Sequence, residues 1–375
     1  MKVLHVISDT NIGGAGVLLC TLLRHFARDR IQSIVALPKE SALRERLEAI
    51  GTPMYFLREP CDRISWRSVR EIREQIQEEA VDLVHANAAI CARIAGRQCG
   101  IAVMHTRHCC FPPSGIWRLP PVRLLGGLSN RVLSDRVIAT AEAAREDLLR
   151  LGIPNRKIEV IINGSEPIRE VGEEELSFYR KQWDLQREDF TVGICARLVP
   201  CKGHDVFLKA AKEILTRLPN RRIRFLIAGE GESRVSLERL SEALGVSSAV
   251  QFLGFLADPA PFYRLLNINV NCSSGTETSC LALSEGMSAR VPMVVSDYGG
   301  NRAMVGDGAA GILYPTGNEI ALADAVCRIA TDPELERSMR AAALQRYRSS
   351  YTAQGMTNRL MEVYESLINA SASRS

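Results

Sequence analysis

The sequence lacks the features that would place the protein in a membrane or on nucleic acid. No apolar run approaches the roughly 20 residues of a membrane-spanning helix, and the start, MKVLHVIS, does not have the regions of a secretory signal. Lys and Arg number 47 against 43 Asp and Glu, and a net charge of +4 is too small to indicate a duplex nucleic-acid partner. We therefore expect a cytoplasmic protein.

Paired cysteine patterns are also missing. The 11 cysteines are an odd number, and no two of them form a Cys-x-x-Cys pair. Most lie in apolar stretches, which is typical of small buried side chains in a reducing compartment. This pattern argues against a disulfide scaffold.

What the sequence does contain is an ordinary globular composition and a regular alternation of elements. Hydrophobic residues make up 46% of its 375 residues, enough for two cores. Short β-branched runs alternate with helical patterns from 3–7 onward, which predicts βαβ units and parallel sheets. The polar, acidic segment 166–189 is predicted as a linker between doubly wound α/β domains at 1–165 and 190–350.

The most informative segment is SSGTETSCLALSEGMSARVPMVVSDYGGN at 273–301. A strand ends before it, Glu277 lies in a small-residue loop, and a helix then carries Glu285 about two turns in. Free N–H groups at the start of that helix suit phosphate, and each carboxylate can accept hydrogen bonds from a sugar diol. Taken alone, the two residues also fit a solvated loop and a surface helix.

A second segment, ARLVPCKGH at 196–204, follows a predicted strand and leads into a helix. Arg197 and Lys202 add two positive charges to a turn whose amides already favour anions. Fixed cations of this kind stabilise a leaving diphosphate. The alternative is a pair of solvated basic residues at a helix start.

Together these segments resemble the family 4 retaining glycosyltransferases. The resemblance implies the GT-B fold: two facing Rossmann-like domains with a deep cleft, and a last helix, about 351–370, that packs back on the first domain. It also implies sugar transfer from a nucleotide-sugar, most often a UDP-sugar, to a hydroxyl acceptor, such as a glycan or lipid-linked intermediate of cell-surface polysaccharide. No metal or other cofactor is required, and no protein nucleophile is needed for retention.

Site roles follow from the same resemblance. Glu285 would bind the donor ribose, Glu277 would lie near the transferred sugar, and Arg197 with Lys202 would clamp the diphosphate. The amides of Thr278, Ser279 and Cys280 would reach sugar and phosphates. Most members carry Gly-Phe-Pro at these three positions, so the sugar contacts are where this chain departs from the family.

Further segments extend the resemblance over nearly the whole chain. The glycine loop after the first strand, with Gly13 and Gly14, would face the diphosphate and acceptor, although its spacing does not match a dinucleotide fingerprint. The turn IAGEGE, with Gly229 and Gly231, would lie beside the nucleotide. In VMHTRHCCF, His108 would contact the donor sugar, with His105 as the alternative.

Three interpretations remain open at this stage. His105 and His108 adjoin Cys109 and Cys110, but their spacing fits no standard zinc pattern, so no metal site is predicted. The segment 116–133 mixes leucines with arginines and fits either membrane contact or core packing. A nucleotide-sugar epimerase or a catalytically silent sugar-binding protein would share much of this pattern.

Overall fold

The computed structural model describes residues 1–8, 10, 13–108, 120–275 and 277–372, and the side chains of all of these except 120–126 and 372. The chain divides into two compact units: unit 1 is Met1–Ser165 with Ala353–Ser375, and unit 2 is Glu166–Thr352. Within the described ranges, no helix combines the length and the apolarity needed to span a bilayer.

Strands and helices alternate along both units. The strands are β1 (Lys2–Ile7), β2 (Gln32–Pro38), β3 (Met54–Leu57), β4 (Leu83–Asn87), β5 (Ala102–Arg107), β6 (Arg136–Ala139), β7 (Ile158–Val160), β8 (Phe190–Cys195), β9 (Ile223–Ala228), β10 (Val250–Gly254), β11 (Ile268–Asn271), β12 (Met293–Ser296) and β13 (Gly311–Tyr314). The helices are α1 (Gly14–His25), α2 (Arg44–Ile50), α3 (Trp66–Glu78), α4 (Ile90–Gln98), α5 (Pro120–Leu133), α6 (Glu142–Arg150), α7 (Glu173–Gln182), α8 (His204–Arg217), α9 (Arg234–Ala243), α10 (Ala260–Leu265), α11 (Leu281–Ser288), α12 (Asn301–Val305), α13 (Glu319–Thr331), α14 (Pro333–Ser350) and α15 (Ala353–Ala372).

Unit 1 is built on a seven-stranded sheet in the order β3-β2-β1-β4-β5-β6-β7. All its strand pairs are parallel, and the interior strand β1 is almost completely buried. A run of apolar side chains on both faces is what a sheet covered by helices on both sides requires. The strand order reverses direction between β1 and β4, which is where open sheets of this type bind ligands.

Unit 2 repeats the architecture with six parallel strands in the order β10-β9-β8-β11-β12-β13. Its switch point lies between β8 and β11. The predicted fold class, doubly wound parallel sheets, is therefore confirmed for each unit. The edge strand β13 was missing from the sequence prediction because its four residues, GILY, follow a glycine-rich turn and precede Pro315.

The segment predicted as a linker contains a helix. Helix α7 packs against α10 in unit 2, and Trp183 and Leu185, which follow it, are buried in a core cluster with Phe262. The acidic residues that suggested a linker occupy the first turn of α7. There they favour the positive end of the helix dipole.

The last helix belongs to unit 1, where it covers a group of buried histidines. The hydroxyl of Tyr364 on α15 lies 2.6 Å from Nδ1 of His85, and Nε2 of His85 lies 2.6 Å from Oγ1 of Thr106. The ring of His5 on β1 packs against both rings, tilted toward that of His85 and edge-on to that of Tyr364. Neither nitrogen of His5 has a hydrogen-bond partner among the described residues.

Candidate active site

The predicted site residues of unit 2 come together at the carboxyl edge of its sheet. Lys202 ends a short 3₁₀ turn after β8, and Glu277 follows β11. Strands β8 and β11 are the neighbours on either side of the switch point. Because parallel strands end at the same edge, residues from the two loops meet there.

Lys202 and Glu277 form a largely buried ion pair. The Nζ atom of Lys202 lies 2.7 Å from Oε2 of Glu277, whose residue is 6% exposed. The same oxygen accepts a hydrogen bond of 2.8 Å from Oγ of Ser273. Burial lowers the pKa of Lys202, but the Glu277 carboxylate outweighs this effect, so the pKa is raised overall. Lys202 is therefore a fixed cation at neutral pH.

Glycines allow the loops of the site to pack closely together. Gly203, with φ +67°, has no room for a side chain, since a Cβ there would lie 2.2 Å from the carbonyl oxygen of Cys272. Gly229 and Gly231 contact the β8–α8 loop in the same way, at the carbonyls of Ala196 and Leu198. The two glycines predicted to lie beside the nucleotide thus support the loop that carries Arg197 and Lys202.

Arg197 is exposed on this loop, unlike Lys202. Its guanidinium makes no hydrogen bond or ion pair within the described part of the chain. The loop thus carries one exposed positive charge, on Arg197, and one largely buried positive charge, on Lys202. Such a loop can hold a phosphorylated ligand.

Glu285 lies on α11 and is half-buried. It stands one turn past the helix start rather than the two turns predicted, because the helix begins only at Leu281. The hydroxyl of Tyr263 on α10 donates a 2.8 Å hydrogen bond to Oε2 of Glu285. Burial raises the pKa of Glu285 to about 7, while the Tyr263 hydrogen bond lowers it. The carboxylate is therefore poised to change its charge near neutral pH. The surface alternative considered for Glu277 and Glu285 is wrong, because neither side chain is exposed.

The loop between these glutamates leads directly into α11. Thr278 and Ser279 are buried, and Cys280 is the residue that precedes the helix. The Cys280 sulfur receives a hydrogen bond of 3.3 Å from Nδ2 of Asn271, and burial raises its pKa to about 12. The thiol thus stays protonated beside the N–H groups of the helix start, where anions are stabilised.

The predicted residues of unit 1 lie at the carboxyl edge of its own sheet. Gly14 is the first residue of α1, the helix that follows β1 in the chain, and Gly13 is the residue before it. His108 follows β5, and its Nε2 lies 2.8 Å from Oδ1 of Asn87 at the end of β4. Burial lowers the pKa of His108 to about 4 and takes that of His105 well below 6.5. Both rings are neutral at physiological pH.

Two sequence interpretations fall partly outside the described residues. Cys109, Cys110 and the start of the 116–133 segment are among the residues whose structure is not described. Within the described ranges, no group of three His, Cys, Asp or Glu side chains is arranged to hold a metal ion. The later part of 116–133 forms α5, on which Leu128 and Val132 are exposed one turn apart.

Sequence reasoning missed several residues that shape the site. Ser273 and Asn271 support Glu277, and their position at the end of β11 was a usable signal. Tyr263 and Cys195 lie beside Glu285, and the sequence contains no signal that links them.

The fold is that of a Rossmann-type protein, and the loops at the switch point of unit 2 suit the anionic and hydroxyl groups of a ligand. Comparison with known proteins specifies the class. Residues 177–346 match the family described as Glycosyl transferases group 1, and residues 12–168 match Glycosyltransferase Family 4. The chain belongs to the family 4 glycosyltransferases.

Individual relatives support the same assignment. EpsD of Bacillus subtilis, a glycosyltransferase by name, is 28% identical over 75% of this chain and 76% of its own. D-inositol 3-phosphate glycosyltransferase of Kribbella flavida is 28% identical over 60% of this chain and 55% of its own. The crystal structure of HepE of Anabaena in complex with UDP-glucose superposes with a TM-score of 0.85, at 21% identity, covering 98% of this chain and 100% of HepE. The chain thus has the GT-B fold and is a glycosyltransferase.

Proposed function

We propose that the enzyme transfers a sugar, with retention at the anomeric carbon, from a nucleotide-sugar bound by unit 2 to a hydroxyl acceptor. The observation that carries this proposal is the largely buried Lys202–Glu277 pair at the switch point of unit 2, with Glu285 on the adjoining helix. A UDP-sugar is the favoured donor, supported by the UDP-glucose bound to HepE. The proposed acceptor is a glycan or lipid-linked intermediate of cell-surface polysaccharide.

Each group then has a defined task. Lys202 and Arg197 stabilise the negative charge that develops on the leaving diphosphate. Glu285 accepts hydrogen bonds from the ribose hydroxyls, and Glu277 does the same for the transferred sugar. The amides at Thr278, Ser279 and Cys280 complete the anion site at the start of α11.

We further propose that no metal ion and no protein nucleophile take part. The positive charge that the leaving group needs is supplied by side chains, of which Lys202 is already fixed by its ion pair. His108, Gly13 and Gly14 are proposed as the contribution of unit 1 to substrate binding. The His108 ring, kept neutral by burial, would act in this role as an uncharged hydrogen-bonding group.

Donor recognition can be tested by ligand-induced stabilisation. We expect UDP and UDP-sugars to raise the melting temperature more than other nucleoside diphosphates, since a ligand that binds the folded chain stabilises it. The matched control is Glu285→Gln, in which the shift should largely disappear. Incubating the enzyme with the donor alone, without acceptor, distinguishes a transferase from an epimerase, because only an epimerase would isomerise the donor sugar. Absence of any shift with all nucleotides would contradict donor binding by unit 2.

We also propose that the enzyme acts at the cytoplasmic face of a membrane, which it touches through α5. Leu128 and Val132 are 53% and 58% exposed, and Arg131 lies between them. The ammonium of Lys157 donates to the carbonyl of Arg131, so a second cation adjoins the apolar pair. Exposed apolar side chains next to cations favour an anionic lipid surface.

Vesicle sedimentation tests this contact. We expect the double variant Leu128→Asp, Val132→Asp to reduce binding to phosphatidylglycerol vesicles by about tenfold, because two charged groups replace inserted apolar ones. Val235→Asp is the control, since Val235 is equally exposed, at 58%, but lies on α9 of unit 2. Equal binding by the double variant and the unchanged chain would exclude α5 as the contact.

A further inference from the structure

Tyr263 makes a contact that none of the roles above requires. It lies on the short helix α10, is fully buried, and its hydroxyl donates to Oε2 of Glu285 at 2.8 Å. The other carboxylate oxygen, Oε1, has no hydrogen-bond partner within the described part of the chain. The carboxylate is thus held through one oxygen, and the second is left to accept from a ligand.

Cys195, the last residue of β8, completes this group. Its thiol is within hydrogen-bonding reach of the Tyr263 hydroxyl and interacts electrostatically with the Glu285 carboxylate. Burial raises the pKa of the thiol to about 12. The Tyr263 hydroxyl therefore lies between a protonated thiol and a carboxylate. Since the thiol can donate and the carboxylate can only accept, the hydroxyl proton points to Glu285.

The charged and titratable groups around Glu285 are few. Strands β11 and β12 carry none, and Cys280 at the start of α11 is a protonated thiol. Helix α14 packs against α11, and there Arg340 and Glu336 form an ion pair with each other at 2.7 Å. Tyr263 is therefore the hydrogen-bond donor that stabilises the charged form of Glu285.

We propose that Tyr263 is a positioning residue that orients the Glu285 carboxylate toward the ribose diol of the donor. The inference rests on the proposed function, because it assigns the ligand of Glu285 to a nucleotide. Its consequence is a pH-dependent donor affinity. The carboxylate accepts from the diol best when it is ionised, so affinity should increase as pH rises through about 7, the pKa of Glu285.

Removing the hydroxyl should move this dependence in a defined direction. Tyr263→Phe keeps the ring in the core but deletes the hydrogen bond to the ionised carboxylate. The pKa of Glu285 should then increase, because burial is no longer opposed. We expect UDP to bind about tenfold more weakly at pH 7, with much of the loss recovered at pH 9.

The experiment is calorimetric titration of the full chain with UDP from pH 6 to pH 9. The terminal phosphate of UDP itself titrates at about pH 6. Its contribution is the same for both proteins, so it cancels when the dissociation constant of the variant is divided by that of the unchanged chain. Tyr314→Phe is the matched control, since Tyr314 is another fully buried tyrosine of unit 2. Tyr314→Phe should leave unchanged the pH at which the affinity for UDP reaches half of its increase.

A double-mutant cycle separates positioning from general loss of structure. In a Glu285→Gln chain, Tyr263→Phe should cause no further loss of UDP affinity, because the group it orients is gone. An unchanged pH midpoint in Tyr263→Phe, or additive losses in the cycle, would overturn the positioning role while leaving donor binding intact. Failure of the unchanged chain to bind UDP, or full binding by Glu285→Gln, would overturn the proposed donor site itself.

Discussion

Replacing Lys202 with alanine is expected to lower kcat by about two to three orders of magnitude. The ammonium is held by Glu277 at 2.7 Å and lies at the switch point of unit 2. It is therefore a preorganised charge, and loss of one such contact lowers kcat by about this factor. KM for the donor should change less, because the interaction strengthens as the diphosphate leaves. Initial rates of nucleoside diphosphate release with acceptor present would measure both constants.

Lys209→Ala provides the control for this experiment. Lys209 also lies near the start of α8, but it forms an exposed pair with Asp205 on the helix surface. Its loss should leave turnover within about twofold, as exposed pairs contribute little. Because Lys202→Ala leaves the Glu277 carboxylate buried without its cation, its melting temperature must be measured alongside. A folded Lys202→Ala enzyme with near-normal turnover would refute the assigned role.

Acid should unfold unit 1 through its buried histidines. Burial lowers the pKa of His5 to about 3 and holds that of His85 well below 6.5. Between pH 6.5 and pH 3 these histidines are protonated in the unfolded chain but stay neutral in the folded chain. The free energy of unfolding therefore decreases as pH falls through this range. Each such histidine should reduce the free energy of unfolding by about 1.4 kcal/mol per pH unit in that range.

His5→Leu tests the assignment directly. Since both nitrogens of His5 lack partners among the described residues, an apolar side chain of similar size should preserve stability at pH 7 and remove one histidine's share of the acid dependence. Urea unfolding between pH 7 and pH 4.5, with hydrogen exchange followed in peptides of β1 and β4, would measure it. The control is His25→Gln on α1, where the side chain is half-buried. If the free energy of unfolding of His5→Leu fell with pH as steeply as that of the unchanged chain, the buried histidines would not be the cause of the acid sensitivity.

The structure also shows why some elements could be predicted and others could not. The central strands were recognisable because both of their faces are buried, which requires unbroken apolar runs. Strand β13 was missed because an edge strand of four residues has no comparable signal, and α7 was missed because its acidic first turn resembles a linker. A strand or helix is recognised from its apolar residues, and these reflect how much of it is buried. Both β13 and α7 are only partly buried, so their apolar pattern is weak.

The sequence by itself predicted the two doubly wound units, because periodicity is a local property of a chain. Its motifs also carried the resemblance to the family, and that resemblance is what nominated Arg197, Lys202, Glu277 and Glu285 as site residues. The tertiary structure alone decided that Lys202 pairs with Glu277, and that Tyr263 on α10 and Cys195 on β8 adjoin Glu285. These partners are up to 90 residues apart, counting from Cys195 to Glu285. They meet because parallel strands end at one edge of the sheet, and the burial that raises the pKa of Glu285 exists only once that edge has formed.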